Sequence, residues 1–405
     1  MIPEAKEAPQ LSFKEALKIR PVRRLWLAQL VSVFGDFLAV FAVFSIVTFD
    51  LHGSPFEVSM ILVAYLTPIA VISPIAGVYV DKWNVKWTMI ASDSARALMV
   101  VTLLFHHNLL AIYGTLFLIS CVSSFFLPAQ IVAIRVIAPP NALVAANGLM
   151  SQAQQGAQIL APAAMGLVAQ FFGSRVCFGV DCFGYFFSAA MVSTLAMHRA
   201  PHATAAATTV LEAMKEGLAF VRSHRVLSLV IISMTTGMFA IRCFGALLSI
   251  YVRDVLRGGT TMFGVENSLI GVGMIGGAQL VPKLLKKTSD EHLVAYGLTG
   301  MGISVLLSAI WPRLAPATTA MLAVGFFAAF VMVCAQVLVQ RETPHELLGR
   351  VSSTLWSLLA IAQVTALVAA GPVADRFGVI DLYYFSAAVL VAIGLFGYRQ
   401  LQTAR

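Results

Sequence analysis

Residues 25–49 read LWLAQLVSVFGDFLAVFAVFSIVTF, and this stretch decides the fold. It holds a single ionisable side chain, Asp36. A helix of that length, at about 1.5 Å per residue, crosses a hydrocarbon core roughly 30 Å thick. Eleven similar runs follow, at 56–80, 87–105, 109–134, 144–172, 175–197, 226–252, 262–285, 293–311, 315–340, 351–374 and 379–398. Composition agrees: 59% of the chain is apolar and 11% charged, where an ordinary soluble domain is about one quarter charged. The sequence therefore predicts an all-α polytopic membrane protein with twelve transmembrane helices. Residues 1–24 are charged and lack the short apolar core of a cleaved signal, so they read as a retained cytoplasmic segment.

The long polar interruption at 198–225 divides the spans into bundles at 25–197 and 226–398, with a short tail at 399–405. Part of it, from Thr209 to Arg225, alternates Val210, Leu211, Met214, Leu218 and Val221 with Glu212, Lys215, Glu216 and Arg222, which predicts an amphipathic linker helix. The bundles repeat one another. Ala129-Gln130 followed by Arg135 recurs as Ala335-Gln336 followed by Arg341. Gly166-Leu-Val-Ala-Gln-Phe-Phe-Gly173 recurs as Gly371-Pro-Val-Ala-Asp-Arg-Phe-Gly378, 205 residues later. Duplication of a six-helix unit is a standard plan of secondary transporters.

Net charge is +8, but its distribution points to a bilayer and away from nucleic acid. With the N-terminus inside, twenty of the 27 lysines and arginines fall on the cytoplasmic side and five on the other. The positive-inside rule thus places both termini in the cytoplasm, and the localisation read from this is a bacterial inner membrane. The five cysteines are scattered within spans, and His106-His107 stands alone in a connecting loop, so neither a disulfide framework nor a metal site is expected. No phosphate-binding glycine loop or nucleophile elbow is present, so neither an enzyme, a cofactor nor a nucleotide-driven pump is expected.

Between spans two and three stands Gly77-Val-Tyr-Val-Asp81-Lys82-Trp83-Asn84-Val85-Lys86, which resembles the loop signature of the major facilitator superfamily. The resemblance implies two six-helix repeats in the major facilitator fold. It also implies close helix contact at Gly77 and a gate latch at Asp81, Lys82 and Lys86, with Arg135 and Arg341 as motif cations. Asn84 and Val85 depart from the signature. Phe34-Gly35-Asp36, Leu127-Pro128-Ala129, Ala146-Asn147-Gly148-Leu149 and Gly349-Arg350-Val351 resemble the branch holding enterobactin-type siderophore exporters, macrolide efflux proteins and the lysophospholipid transporter. Ala161-Pro162 with Gly166 resembles a reduced form of that family's antiporter signature, which implies export by antiport.

Charged groups inside the bilayer are costly unless paired or wet, which makes them the site candidates. Asp36 lies about 16 Å into span one, near the midplane, and can take up and release a proton as access alternates. Arg242, near the middle of span seven, is the expected counter-charge for Asp36 or for an anionic substrate group. Asp93 and Arg96, three apart on span three, are read as a local structural pair. Asp181 in span six and Glu266 near the outer end of span eight are relay or rim candidates. Span five gathers Asn147, Ser151, Gln154, Gln155 and Gln158 before Pro162, a stripe that suits either a cavity wall or interhelical hydrogen bonds. Gln130, Gln336 and Gln363 are further cavity candidates.

The resulting reading is a secondary transporter that exports a small amphipathic molecule, a drug, macrolide or siderophore, against protons, working as a monomer. A lysophospholipid or other lipid translocator of the same fold is the alternative. A non-transporting receptor or scaffold is the third, and would have lost the intramembrane charges.

Overall fold

The structure is a computed structural model describing residues 10–80, 82–105, 108–197, 218–344 and 347–402. Among them are twelve long helices: α1 (Arg20–Ser45), α2 (Pro55–Val80), α3 (Val85–Leu103), α4 (Leu109–Ile137), α5 (Leu143–Phe172), α6 (Val176–Ser193), α7 (Arg225–Ala246), α8 (Thr260–Leu284), α9 (Asp290–Ile310), α10 (Leu314–Glu342), α11 (Leu348–Phe377) and α12 (Val379–Gln402). The chain is an all-α polytopic membrane protein, as the apolar runs require. Nine of these helices are long and apolar enough to cross a membrane on those grounds alone. The three that fall short, α3, α5 and α8, carry the charges, amides and glycines that matter below. Of the linker helix expected over Thr209–Arg225, all but 218–225 lies outside the described residues, and 218–223 is helical.

Helix starts are set by local chemistry. Asn84 caps α3 by accepting from the Trp87 amide at 3.3 Å, and Asn108 caps α4 by accepting from Leu110 at 2.9 Å. Ser54 and Glu57 cap α2 reciprocally, at 2.8 and 3.3 Å. Before α1, Ser12 and Glu15 form a second capping box, whose hydrogen bonds hold the exposed Glu15 carboxyl below its usual range.

The duplication is written into the backbone. Five helix pairs start 205 residues apart: Arg20 and Arg225, Pro55 and Thr260, Val85 and Asp290, Leu109 and Leu314, Leu143 and Leu348. A five-residue π turn, Ile46–Asp50, continues α1, and its counterpart, Tyr251–Val255, follows α7 after the short helical turn Leu248–Ile250. Each turn is followed by a residue in the left-handed region, His52 and Arg257, and Gly173 and Gly378 end α5 and α11 in the same region. All these pairs keep the 205-residue offset.

Contacts group the chain into two compact units, Met1–Val43 with Ala64–Thr204, and Phe44–Val63 with Ala205–Arg405. The last turn of α1 and the start of α2 thus belong with the second repeat. Arg253, following α7, donates to the Thr48 and Gly53 carbonyls at 2.8 and 2.9 Å. These oxygens lie at the helix terminus where backbone acceptors otherwise go unpaired. Thr48 also donates to Ser249 at 2.8 Å, Ser45 meets Thr260 at 2.8 Å, and Phe44 and Phe49 pack against Phe263. Gly371 on α11 sits against Phe56 and Ser59.

Helices in lipid associate through small residues that let backbones approach. In the second unit, α8 and α10 meet at Gly273, Gly277 and Gly325. A Cβ on Gly325 would lie 1.8 Å from the Ile270 carbonyl, whereas one on Gly276 meets nothing nearer than Phe326 at 3.9 Å. Gly325→Ala is therefore expected to push these helices apart at a cost of about 1–3 kcal/mol and lower the melting temperature of the purified protein. Gly276→Ala should leave it unchanged. Equal melting temperatures for the two variants would refute this packing.

Candidate functional site

The first unit buries a charge cluster drawn from four helices. It is organised around Arg96 on α3, whose side chain is 4% exposed. The guanidinium lies over two rings, 4.5 Å from the centroid of Phe126 on α4 and 4.3 Å from that of Tyr185 on α6. Its Nη2 pairs with Asp93 one turn earlier. Its Nη1 reaches Asp36 Oδ2 on α1 at 3.9 Å and donates to Ser123 at 3.5 Å. The Tyr185 hydroxyl donates to the other oxygen of Asp36. One planar side chain thus serves two carboxylates on different helices, a task for which the guanidinium fork suits arginine better than lysine.

A third carboxyl completes the group. Asp181 on α6 is 2% exposed, and its Oδ1 has no hydrogen-bond partner among the described residues. Gly35 explains its position: a Cβ there would lie 2.8 Å from Asp181 Oδ1 and 2.9 Å from its Cα. The bare backbone of α1 lets α6 close beside Asp36. Tyr65 on α2 is within electrostatic reach of Asp36, Arg96 and Asp181. Two carboxylates thus pair with Arg96, and a third carboxyl lies beside them with no ion-pair partner among the described residues. Among the described residues there is no group of three or more histidine, cysteine, aspartate or glutamate side chains able to hold a metal.

Several sequence expectations change at this point. Within its own unit, the cation that reaches Asp36 is Arg96; Arg242, expected as the counter-charge of Asp36 or of an anionic substrate group, lies in the other unit. The Asp93–Arg96 pair is present, but it is not merely local, because Asp36 shares it. Asp181 and Glu266 are not rim groups, since both are buried. The close contact expected at Gly77 does not form among the described residues: a Cβ there meets nothing within 4 Å, and neighbouring Ile75 and Tyr79 are exposed. Asp81 lies outside the described residues, Lys82 is exposed and Lys86 half-buried.

On α5, Asn147, Ser151, Gln154, Gln155 and Gln158 all stay exposed, while Ala145, Leu149, Ala153, Ala157 and Ala161 bury the opposite face. Two of them bond within the helix: Gln155 donates to Ser151 at 3.1 Å and Asn147 to the Leu143 carbonyl at 2.9 Å. The stripe is an open amide face. Pro162 and Gly166 are buried, as is Gln130, whereas Gln336 is exposed and Gln363 half-buried. The repeat cations diverge: Arg341 binds Asp290 and Glu291, each at 2.8 Å, while Arg135 is exposed without an ion-pair partner among the described residues.

Sequence reasoning missed Tyr185 and Phe126. Tyr185 stands four residues after Asp181 on α6, a spacing that puts both on one face and could have flagged it. Arg96→Ala should strand Asp93 in the protein interior and cost about 3–5 kcal/mol. Adding Asp93→Asn removes the orphaned charge and should restore part of that loss in melting temperature. An Arg96→Ala protein as stable as the parent would show that the guanidinium does not anchor the cluster.

The sequence model of the Major Facilitator Superfamily matches residues 25–366. The chain is 25% identical over 379 residues to the uncharacterised MFS-type transporter YfiS of Bacillus subtilis, covering 91% of this chain and 90% of the relative. It is 24% identical over 390 residues to macrolide efflux protein A of Streptococcus pyogenes, covering 92% and 93%. It is also 24% identical over 358 residues to the multidrug efflux pump Tap of Mycolicibacterium fortuitum, covering 85% and 87%. Among solved structures, the nucleoside transporter NupG aligns with a TM-score of 0.74 at 13% identity, over 94% of this chain and 99% of that one.

Proposed function

The chain belongs to the major facilitator superfamily, and on that premise we propose that it exports small amphipathic molecules in exchange for protons, with Asp36 carrying the proton. The observation that carries this reading is the difference in access within one ion-pair cluster. The Asp36 side chain is 23% exposed, whereas Asp93 and Arg96, its neighbours in the pair network, are 0% and 4% exposed. A proton can therefore enter at Asp36 while the rest of the cluster stays dry.

Protonating Asp36 removes one of the two negative charges that hold Arg96. The guanidinium then answers to Asp93 alone, and the Tyr185 hydroxyl loses its charged acceptor. Proton binding thus changes the forces between α1, α3 and α6 directly, which is what coupling requires. The open amide face of α5 offers both donors and acceptors to a polar or zwitterionic cargo. Arg242 is available to an anionic group of the cargo.

Cargo class and direction follow the relatives. The Streptococcus pyogenes protein is named for macrolide efflux and the Mycolicibacterium fortuitum protein for multidrug efflux, and both align over most of this chain. The excess of cations in one set of loops supports cytoplasmic termini in an inner membrane, with the α1–α2 turn on the outer face.

The test uses inside-out proteoliposomes, an imposed proton gradient and a macrolide as probe. The wild-type protein should accumulate the macrolide against its gradient. Asp36→Asn should abolish that accumulation yet still exchange labelled for unlabelled macrolide. Full gradient-driven accumulation by Asp36→Asn would overturn the assignment of Asp36.

A further inference from the structure

The second unit holds a buried acid that the Asp36 cluster does not use. Glu266 lies on α8, about 9 Å along the helix from Thr260. It is 0% exposed, and neither carboxyl oxygen has a hydrogen-bond partner among the described residues. No lysine, arginine or histidine pairs with it there. Its electrostatic neighbours are two tyrosines, Tyr251 after α7 and Tyr383 on α12. Both are fully buried, with rings stacked 4.8 Å apart. The Tyr251 hydroxyl is committed to the Ser308 carbonyl at 2.7 Å, and the Tyr383 hydroxyl has no partner among the described residues. On its far side α8 meets α10 through Leu322, Gly325 and Phe326, none of them ionisable.

An ionised carboxylate accepts up to four hydrogen bonds, and here it receives none from the described residues. Removing such a charge from water without a partner is among the most expensive arrangements a protein can adopt. The neutral acid, with its single proton, removes that penalty and needs no cation.

We propose that Glu266 is a second proton-binding group, seated in the second repeat, that holds its proton in the conformation described here. One to two turns away on the same helix, Phe263 and Thr260 pack against Phe44, Phe49 and Ser45. Loosening those contacts is the route by which water would reach Glu266 and take the proton. The protonation stands on local geometry alone; its use as a second coupling proton rests on the exporter reading above.

Infrared spectroscopy of the purified full-length protein at neutral pH tests this without any cargo. The wild type should show the carbonyl stretch of a protonated carboxylic acid free of hydrogen bonds. That band should shift when glutamate is supplied with a 13C-labelled carboxyl, vanish in Glu266→Gln, and persist in Asp36→Asn. If Glu266→Gln does not fold, the labelled wild type still decides. Glu15, Glu57, Glu291 and Glu342 lie toward helix ends and have polar partners of their own. A band that ignores the glutamate label, or that survives in Glu266→Gln, overturns the proposal. That failure leaves the Asp36 reading intact, since vesicle transport tests it separately.

Discussion

The first repeat depends on the burial of one guanidinium. Arg96 is shut away from water, so the groups around it take the place of solvent: the rings of Phe126 and Tyr185, Asp93 on its own helix, and Asp36 on α1. Each contact constrains a helix. Phe126 fixes α4, Tyr185 fixes α6, and Asp36 fixes the rotation of α1, because a turn of that helix would carry its carboxyl away from Arg96. In a bilayer, where apolar surfaces give little preference for one helix partner over another, such polar contacts specify which faces meet.

The glycines make that arrangement reachable. Gly35 and Gly184 place the backbones of α1 and α6 nearly in contact, which is why Asp181 and Tyr185 arrive beside Asp36. The same device recurs in the second repeat without charges, where Gly273, Gly277 and Gly325 join α8 to α10. Close packing and charge pairing are therefore separable. The repeats share the first and differ in the second.

Much of this was legible in the sequence, for physical reasons. The helices follow from apolar length, and eleven of them begin within three residues of the expected start; α1 begins earlier, at Arg20, because Pro21 and the arginines after it continue the helix beyond the apolar run. Asp93 and Arg96 could be paired because three residues on one helix is a fixed geometry. The partner of Asp36 could not be read that way, since it depends on which helix closes against α1. The clue was Gly35 beside Asp36, whose meaning is tertiary. Gly77 shows the converse: a glycine in a family-like motif does not by itself bring a neighbour. The π turns after α1 and α7 were signalled only by Leu51-His52-Gly53 and Leu256-Arg257-Gly258, a likeness visible once the offset is known.

That offset also shows how a duplicated unit divides its chemistry. At the positions in the second repeat corresponding to Asp36, Asp93, Arg96 and Tyr185 stand Ile241, Leu298, Met301 and Leu390, and Asp181 becomes Ser386. Every charged member of the cluster has been replaced by an uncharged residue. Conversely, the position corresponding to Glu266 in the first repeat is Ile61, fully buried and apolar. Had charges been scattered by drift, partial remnants would be expected, and a remnant charge in lipid is costly. Instead Asp36, Asp93 and Arg96 all lack a charged counterpart there, since any one of them left alone in hydrocarbon would be a charge without a partner. Arg96 cannot be lost while Asp93 remains, and Asp36 cannot keep its place without Arg96. The shared contacts of one guanidinium thus tie α1, α3, α4 and α6 to a single point.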